Sequence, residues 1–180
     1  MTLPIRTERL LLRRFAEGDV PDIVAFLDHP SVARATPEIE GTEAGALKYV
    51  QMQNGYAPFE QDKCFDLAIE RAADGKVMGL LTMIRRKHQQ GEIGYALGIE
   101  FRGQGYATEA AGGAIDYAFS TLELHRIQAE TSSDNPSSYE VMERLGMRRE
   151  GQMREAESRE DAWVDKLVYG ILDREWRGRR

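Results

Sequence analysis

The chain has 180 residues, 42% hydrophobic and 30% charged, which is the composition of a folded globular protein, and its length suits one domain over residues 1–180. Its 30 acidic residues outnumber 24 basic ones for a net charge of −6, and no long basic run offers a nucleic-acid surface. One cysteine (Cys64) and three scattered histidines (His29, His88, His125) exclude a disulfide framework and a cysteine-based zinc site and show no metal-ligand spacing, and no apolar stretch approaches the roughly 20 residues of a membrane span.

The N-terminal stretch lacks an apolar run followed by a small-residue cleavage site, so the expectation is a cytoplasmic protein, monomeric or homodimeric. Leu10–Phe15 reads as a strand. Asp19 reads as a helix N-cap with Pro21 in the first turn, and His29-Pro30 ends that helix. Residues 31–41 read as irregular, and a second helix follows Thr42. Phe65, Leu67 and Ile69 alternate as in a strand, Cys64 among them reads as a small, at least half-buried side chain, and Asp74-Gly75 turns the chain. Val77–Ile84 is apolar on both faces, as in a central strand. Glu92–Ile99 alternates sharply: Ile93, Tyr95, Leu97 and Ile99 point one way, Glu92, Gly94, Ala96 and Gly98 the other. A face of such small residues either leaves room for a ligand or marks close packing. A glycine turn at 102–107, a helix to about Leu122, a strand at Arg126–Thr131 and a helix from Asn135-Pro136 to Gly146 follow. Met147–Met153 and Trp163–Leu172 read as two strands joined by a charged loop. Hairpins mixed with βα units and four helices predict an α+β fold with a mixed sheet.

The turn RGQGYA (Arg102–Ala107) lies between a strand and a helix. Gly103 and Gly105 permit positive φ, so the amides from Gln104 to Ala107 can point outward at a helix N-terminus, beside the Arg102 charge. That makes an anion site suited to phosphate, and the alternative is a plain tight turn. A P-loop is absent, and Thr108 stands where a dinucleotide fingerprint needs glycine or alanine.

Taken with TERLLLR (Thr7–Arg13), GEIGYALG (Gly91–Gly98), FRGQGYATEA (Phe101–Ala110), LHRIQAE (Leu124–Glu130), NPSS (Asn135–Ser138), ERLGM (Glu143–Met147) and WVDKLVYGILDREW (Trp163–Trp176), the chain resembles the GNAT superfamily of acyl-CoA-dependent N-acyltransferases, most closely its ribosomal-protein N-terminal acetyltransferase branch. The resemblance implies a GNAT fold: a mixed, mostly antiparallel twisted sheet flanked by helices, with splayed central strands. It implies that Arg102, Gly103, Gln104, Gly105, Tyr106, Ala107 and Thr108 hold the pyrophosphate of acetyl-CoA. It further implies a bulge in the Glu92–Ile99 strand, with main-chain groups of Leu97, Gly98 and Ile99 against the acyl carbonyl and pantetheine arm. Asn135 matches a contact to that arm, and Ser138 a position near the sulfur. No metal is implied.

Acyl transfer to an amine requires a neutral nitrogen, donors for an oxyanion and a proton for the departing thiolate. A protein α-amine with pKa near 7.8 is roughly 14% neutral at pH 7, a lysine-like amine about 0.04%, so an N-terminal acceptor asks less of a base. Glu92, on the small-residue face, is the base candidate, acting directly or through water; otherwise it is a solvated strand-end carboxylate. Ser138 is preferred to the adjacent Tyr139 as the group assisting thiolate departure, since neighbouring helical residues diverge by about 100°. Asn135 can also cap its helix. Tyr95, Tyr106, Trp163 and Trp176 read as core or cleft lining. Glu38, Glu40, Glu43, Glu155, Glu157, Glu160 and Asp161 offer either a cation-steering acceptor side or a solvated charged face. The expected activity is acetyl transfer from acetyl-CoA to a primary amine by direct attack in a ternary complex. A protein or peptide N-terminus is the leading acceptor, a small-molecule amine the rival, and a non-catalytic CoA-binding protein a second alternative.

Overall fold

The structure is a computed structural model that describes residues 3–159 and 162–179. Eight strands form one sheet: β1 (Ile5–Arg6), β2 (Leu10–Arg13), β3 (Cys64–Arg71), β4 (Val77–Arg86), β5 (Gln90–Leu97), β6 (Arg126–Ser132), β7 (Arg148–Arg159) and β8 (Ala162–Leu172). Their order is β1-β2-β3-β4-β5-β6-β8-β7. Only the β5–β6 contact is parallel. The helices are α1 (Val20–Leu27), α2 (Pro30–Ala33), α3 (Glu43–Gly55), α4 (Tyr106–Ser120), α5 (Pro136–Arg144) and α6 (Asp173–Arg177).

Strand alternation divides the core between the two faces. Phe65, Leu67 and Ile69 of β3 pack with Ile93 and Leu97 of β5 against Ala110, Ala114 and Ile115 of α4. Ala68, Leu80 and Ala96 pack on the other face against Ile23 and Phe26 of α1 and Tyr49 and Val50 of α3. Among the described residues no helix is long and apolar enough to cross a membrane.

The feature that creates a site is the short contact between β5 and β6. They pair only at Gln90↔Arg126, Gly91↔Ile127 and Glu92↔Gln128. Beyond that point β5 stays with β4 as far as Gly79↔Leu97, while β6 stays with β8 as far as Ser132↔Lys166. A wedge opens between the strands from Ile93 onward, as the expected splay requires. The expected bulge is absent from the β4–β5 ladder, whose register is unbroken from Arg86↔Gln90 to Gly79↔Leu97. The gap therefore arises because the two strands follow different partners, not because an extra residue bends one of them.

Several local expectations change. Residues 31–41 are not wholly irregular, because Pro30 at the first helical position starts α2, whose N-cap His29 accepts from the Ser31 amide at 3.2 Å. Thr42 caps α3 as predicted, accepting from the Gly45 amide at 3.0 Å. Asp19 does not cap α1 with its side chain. Its carboxylate is taken by Arg13, at 2.7 and 2.9 Å, and by the Ala16 amide at 2.7 Å. Cys64, at the start of β3, is exposed rather than buried. β7 runs to Arg159, well beyond the Met153 end read from sequence, while β8 matches its reading except for one added residue, Ala162.

Candidate active site

The glycine turn takes the predicted form. After Phe101, Gly103 has φ 74° and Gly105, the residue before α4, has φ 81°. These left-handed values suit glycine and turn the chain abruptly into the helix. The first intrahelical bond beyond the turn is Glu109 N–H to the Gly105 carbonyl at 3.0 Å. Among the described residues, the amides of Gly103 through Thr108 meet no hydrogen-bond acceptor. Six consecutive unsatisfied donors, at the positive end of a 15-residue helix, form a nest for an anion.

This nest is one wall of a cleft of about 500 Å³ that runs into the wedge between β5 and β6. Tyr95, Ala96 and Leu97 line it from β5, Ser132 from β6, and Asn135, Ser137, Ser138 and Val141 from the α5 side. Arg102, Gly103, Gly105, Tyr106, Ala107 and Thr108 supply the phosphate-sized end. Ser31, Arg34 and Ala35 reach it from α2 and the residues after it. The antiparallel alternation determines which main-chain groups face the gap. Gly98 N–H donates to the Met78 carbonyl at 2.9 Å, so the groups of Tyr95 and Leu97 turn the other way, toward the gap. They point where a carbonyl oxygen or an extended amide chain can be received.

Two predicted contacts lie elsewhere. Gly98 does not line the cleft: its amide belongs to the sheet, and a Cβ there would approach Phe26 Cβ to 3.1 Å, so this glycine serves close packing against α1. Ile99 has left β5 for a single 3₁₀ turn and is 49% exposed outside the cleft. The Gln104 side chain turns away, its Nε2 donating to the Glu100 carbonyl at 2.9 Å, while its amide stays in the nest. The Arg102 guanidinium folds back, with Nε donating to the Leu97 carbonyl at 3.2 Å. It therefore joins the nest to the end of β5.

On α5 the structure separates Ser138 from Tyr139. Ser138 faces the cleft, and Tyr139 packs against the core. Asn135 does not cap α5 with its side chain; Oδ1 accepts from Ser137 Oγ at 2.8 Å, at the cleft edge. Tyr95 Oη donates to the Ser138 carbonyl at 2.9 Å, which ties β5 to α5 across the cleft. Burial pushes the Tyr95 hydroxyl up to about 12, so it stays protonated and can only donate or accept a hydrogen bond near neutral pH.

Glu92 stands at the closed end of the wedge and is not among the cleft residues. Arg86 Nε and Nη2 donate to its two oxygens, each at 3.0 Å. Arg86, at the end of β4, thereby also lies away from the anion nest. Of the acidic segments, Glu157 is paired with Arg159 at 2.6 Å, and Glu160 and Asp161 lie outside the described residues.

Sequence reasoning missed Arg9. Its Nε donates to Glu109 Oε2 at 2.6 Å and its Nη1 to the Gln104 carbonyl at 3.1 Å, while its guanidinium lies 4.5 Å over the Tyr106 ring. Glu109 also accepts from Thr7 Oγ1 at 2.6 Å and from the Arg9 amide at 2.7 Å. Burial works to raise the Glu109 carboxyl, but these donors outweigh it and hold the group below its ordinary range. The turn between β1 and β2 is thus bolted to the nest. Thr7 and Arg9 belong to the TERLLLR segment, so the signal was present without a contact to explain it.

The acetyltransferase (GNAT) domain model matches residues 9–148. The chain is 30% identical over 174 residues to the uncharacterized N-acetyltransferase YnaD of Bacillus subtilis (strain 168), covering 96% of this chain and 98% of that one. It is 27% identical over 100 residues to the ribosomal protein uS5-alanine N-acetyltransferase of Escherichia coli (strain K12), covering 56% of this chain and 52% of that protein. The crystal structure of an acetyltransferase (GNAT family) from Bacillus anthracis superposes with a TM-score of 0.83 at 29% identity, covering 96% of this chain and 100% of that one. Sequence and fold thus agree on one assignment: the chain belongs to the GNAT family and is an N-acetyltransferase.

Proposed function

We propose that this enzyme transfers acetyl from acetyl-CoA to the N-terminal amine of a protein or peptide, by direct attack in a ternary complex. The observation that carries the cofactor assignment is the run of unsatisfied amides at Gly103–Thr108 beside the open wedge. A pyrophosphate meets those donors, and an extended pantetheine arm fits along Tyr95–Leu97 toward Ser132 and Asn135. The thioester supplies the acyl group and a leaving thiolate. Gap-facing main-chain donors of Tyr95 and Leu97 receive the carbonyl oxygen as charge builds on it. Glu92 is a minor participant, since Arg86 holds both its oxygens; the pair walls the closed end of the gap.

The acceptor assignment is supported by the amine arithmetic and by similarity to the Escherichia coli alanine N-acetyltransferase. The test is calorimetry with acetyl-CoA and CoA, followed by thiol release against a panel of peptides and a panel of polyamines, amino acids and aminoglycosides. No heat of association at millimolar ligand overturns the cofactor assignment. Turnover confined to the small amines overturns the acceptor.

Three substitutions examine the cleft's details. Ser138→Ala is expected to lower kcat about tenfold with KM for acetyl-CoA nearly unchanged, and Tyr139→Phe to retain wild-type kcat, because only Ser138 faces the cleft. Arg9→Ala is expected to raise KM for acetyl-CoA about fivefold without lowering kcat, since an exposed ion pair contributes little to folding yet steadies the nest. Steady-state kinetics at varied acetyl-CoA reads all three.

A further inference from the structure

On the α1/α3 face of the sheet, Asp66 of β3, Thr82 of β4 and Gly94 of β5 are successive Cα partners and form one row across three strands. Asp66 is 3% exposed. Its Oδ2 accepts from Tyr49 Oη at 2.6 Å and Gln53 Nε2 at 2.8 Å, and its amide donates to Gln53 Oε1 at 3.1 Å. Its Oδ1 is buried and meets no donor at full hydrogen-bond geometry, while the Thr82 hydroxyl is near enough to act on the carboxylate. The groups that face this carboxylate are Tyr49 and Gln53 from α3, Glu38 from the segment before α3, Cys64 on its own strand and Thr82 from β4. None of these is a cation. A buried carboxylate with no counter-charge is expensive, and such a group calls for a reason. Burial raises its pKa above the ordinary aspartate range, and the Thr82 and Tyr49 hydroxyls only partly offset that rise.

The row ends at the wedge. Gly94 lies two residues beyond the last β5–β6 pair, Glu92↔Gln128. A Cβ at Gly94 would find nothing nearer than Thr82 Cβ at 3.7 Å and Thr82 Oγ1 at 4.0 Å, so the threonine hydroxyl borders open space above the glycine. Thr82 and Gly94 are both half-buried, which admits an incoming group where Asp66 itself is sealed. Glu92 offers a contrast, because Arg86 already occupies both its oxygens.

We propose that Asp66, acting through the hydroxyl of Thr82, accepts the proton that the acceptor amine loses when it occupies the space above Gly94. This rests on the amine-acetylation reading above. The nitrogen forms a bond to the acyl carbon and gives its proton to Thr82 Oγ1, and Thr82 passes its own proton to Asp66 Oδ1. The electron pair of the broken C–S bond leaves on sulfur, which takes a proton from solvent, and Asp66 returns its proton to solvent before the next turnover.

The test combines Asp66→Asn, Thr82→Val and Glu92→Gln in the full chain. With a peptide acceptor, log kcat/KM of the wild type is expected to fall at acid pH with a slope approaching 2, one proton for the amine and one for Asp66. Asp66→Asn and Thr82→Val are each expected to reduce the slope to 1 and to lower kcat/KM at pH 8 about 30-fold, below the usual general-base range because part of an α-amine is already neutral. Thr82→Val leaves the Tyr49 and Gln53 bonds to Asp66 in place, so it separates proton transfer from damage to the fold. A slope of 2 retained in Thr82→Val and lost in Glu92→Gln overturns the proposal. Carbon NMR of labelled aspartate, assigned with Asp66→Asn, needs no acceptor and decides the point even where thiol release fails and the acetylation reading falls. Its expected midpoint lies above the roughly 3.9 of an unburied aspartate and rises further in Thr82→Val; a midpoint at the ordinary value overturns the proposal.

Discussion

Gly105→Val is expected to weaken acetyl-CoA binding more than 100-fold, with only a modest loss of thermal stability. Gly105 sits at φ 81°, ψ 0° immediately before α4. A β-branched residue in that conformation costs about 1–3 kcal/mol, and the chain relieves the strain by rotating out of it. Such a rotation re-aims the amides of Tyr106 and Ala107, which have no other acceptor to hold them in place. A Cβ at this position would also meet Arg9 Nη2 at 3.4 Å, on the guanidinium whose Nη1 anchors the Gln104 carbonyl. Relief of strain therefore disperses the nest rather than unfolding the helix, whose Ala110, Ala114 and Ile115 remain buried. Calorimetry with CoA beside a thermal melt reads the two effects separately. Wild-type affinity in Gly105→Val would remove the nest from cofactor binding. The comparison with Gly103→Ala is informative, because a Cβ at Gly103 meets nothing within 4 Å and strains only through its φ of 74°.

Gly79→Ala is expected to lower the melting temperature by about 10 °C and to damage cofactor binding at a distance from the nest. A Cβ on Gly79 would lie 2.1 Å from the Ala96 carbonyl oxygen and 2.9 Å from Leu97 Cα. Both are main-chain atoms of a paired strand, so no side-chain rotation relieves the overlap. β5 must move away from β4 where Gly79 faces Leu97. A forced backbone shift of this kind costs about 3–4 kcal/mol, which for a chain of this size is on the order of 10 °C. The same shift displaces Tyr95–Leu97, the β5 wall of the cleft. A differential scan and a CoA titration on one preparation check the coupling: a lowered melting temperature with unchanged affinity would detach β5 from the cofactor cleft.

The legible part of the site lies where function depends on local backbone. The RGQGYA turn declares itself because left-handed glycines before a helix leave amides exposed whatever surrounds them. The 100° separation on α5 places Ser138 and Tyr139 on different sides from spacing alone, and the structure puts Ser138 in the cleft. Gly98 and Ile99 were misplaced because alternation says which way a residue points but not where pairing stops; β5 ends at Leu97 and hands Gly98 to close packing against Phe26. Glu92 was singled out for its place on the small-residue face, but its partner Arg86 comes from the neighbouring strand, and nothing in spacing shows that the pair forms. Asp66 drew no notice, since its meaning depends on α3 covering it and on the Thr82–Gly94 row beside it.

Taken alone, the sequence determined the family, the α+β architecture, the order of the longer strands and helices and the left-handed glycine turn, because periodicity, caps and glycines act over a few residues; the short β1, α2 and α6 escaped it. Tertiary structure alone decided where β5 and β6 part, which carboxylate meets a guanidinium and which is buried among neutral donors, and that Arg9 reaches across nearly a hundred positions to brace the turn. Pairing and burial are properties of neighbours in space, and local sequence carries no record of which neighbour will arrive.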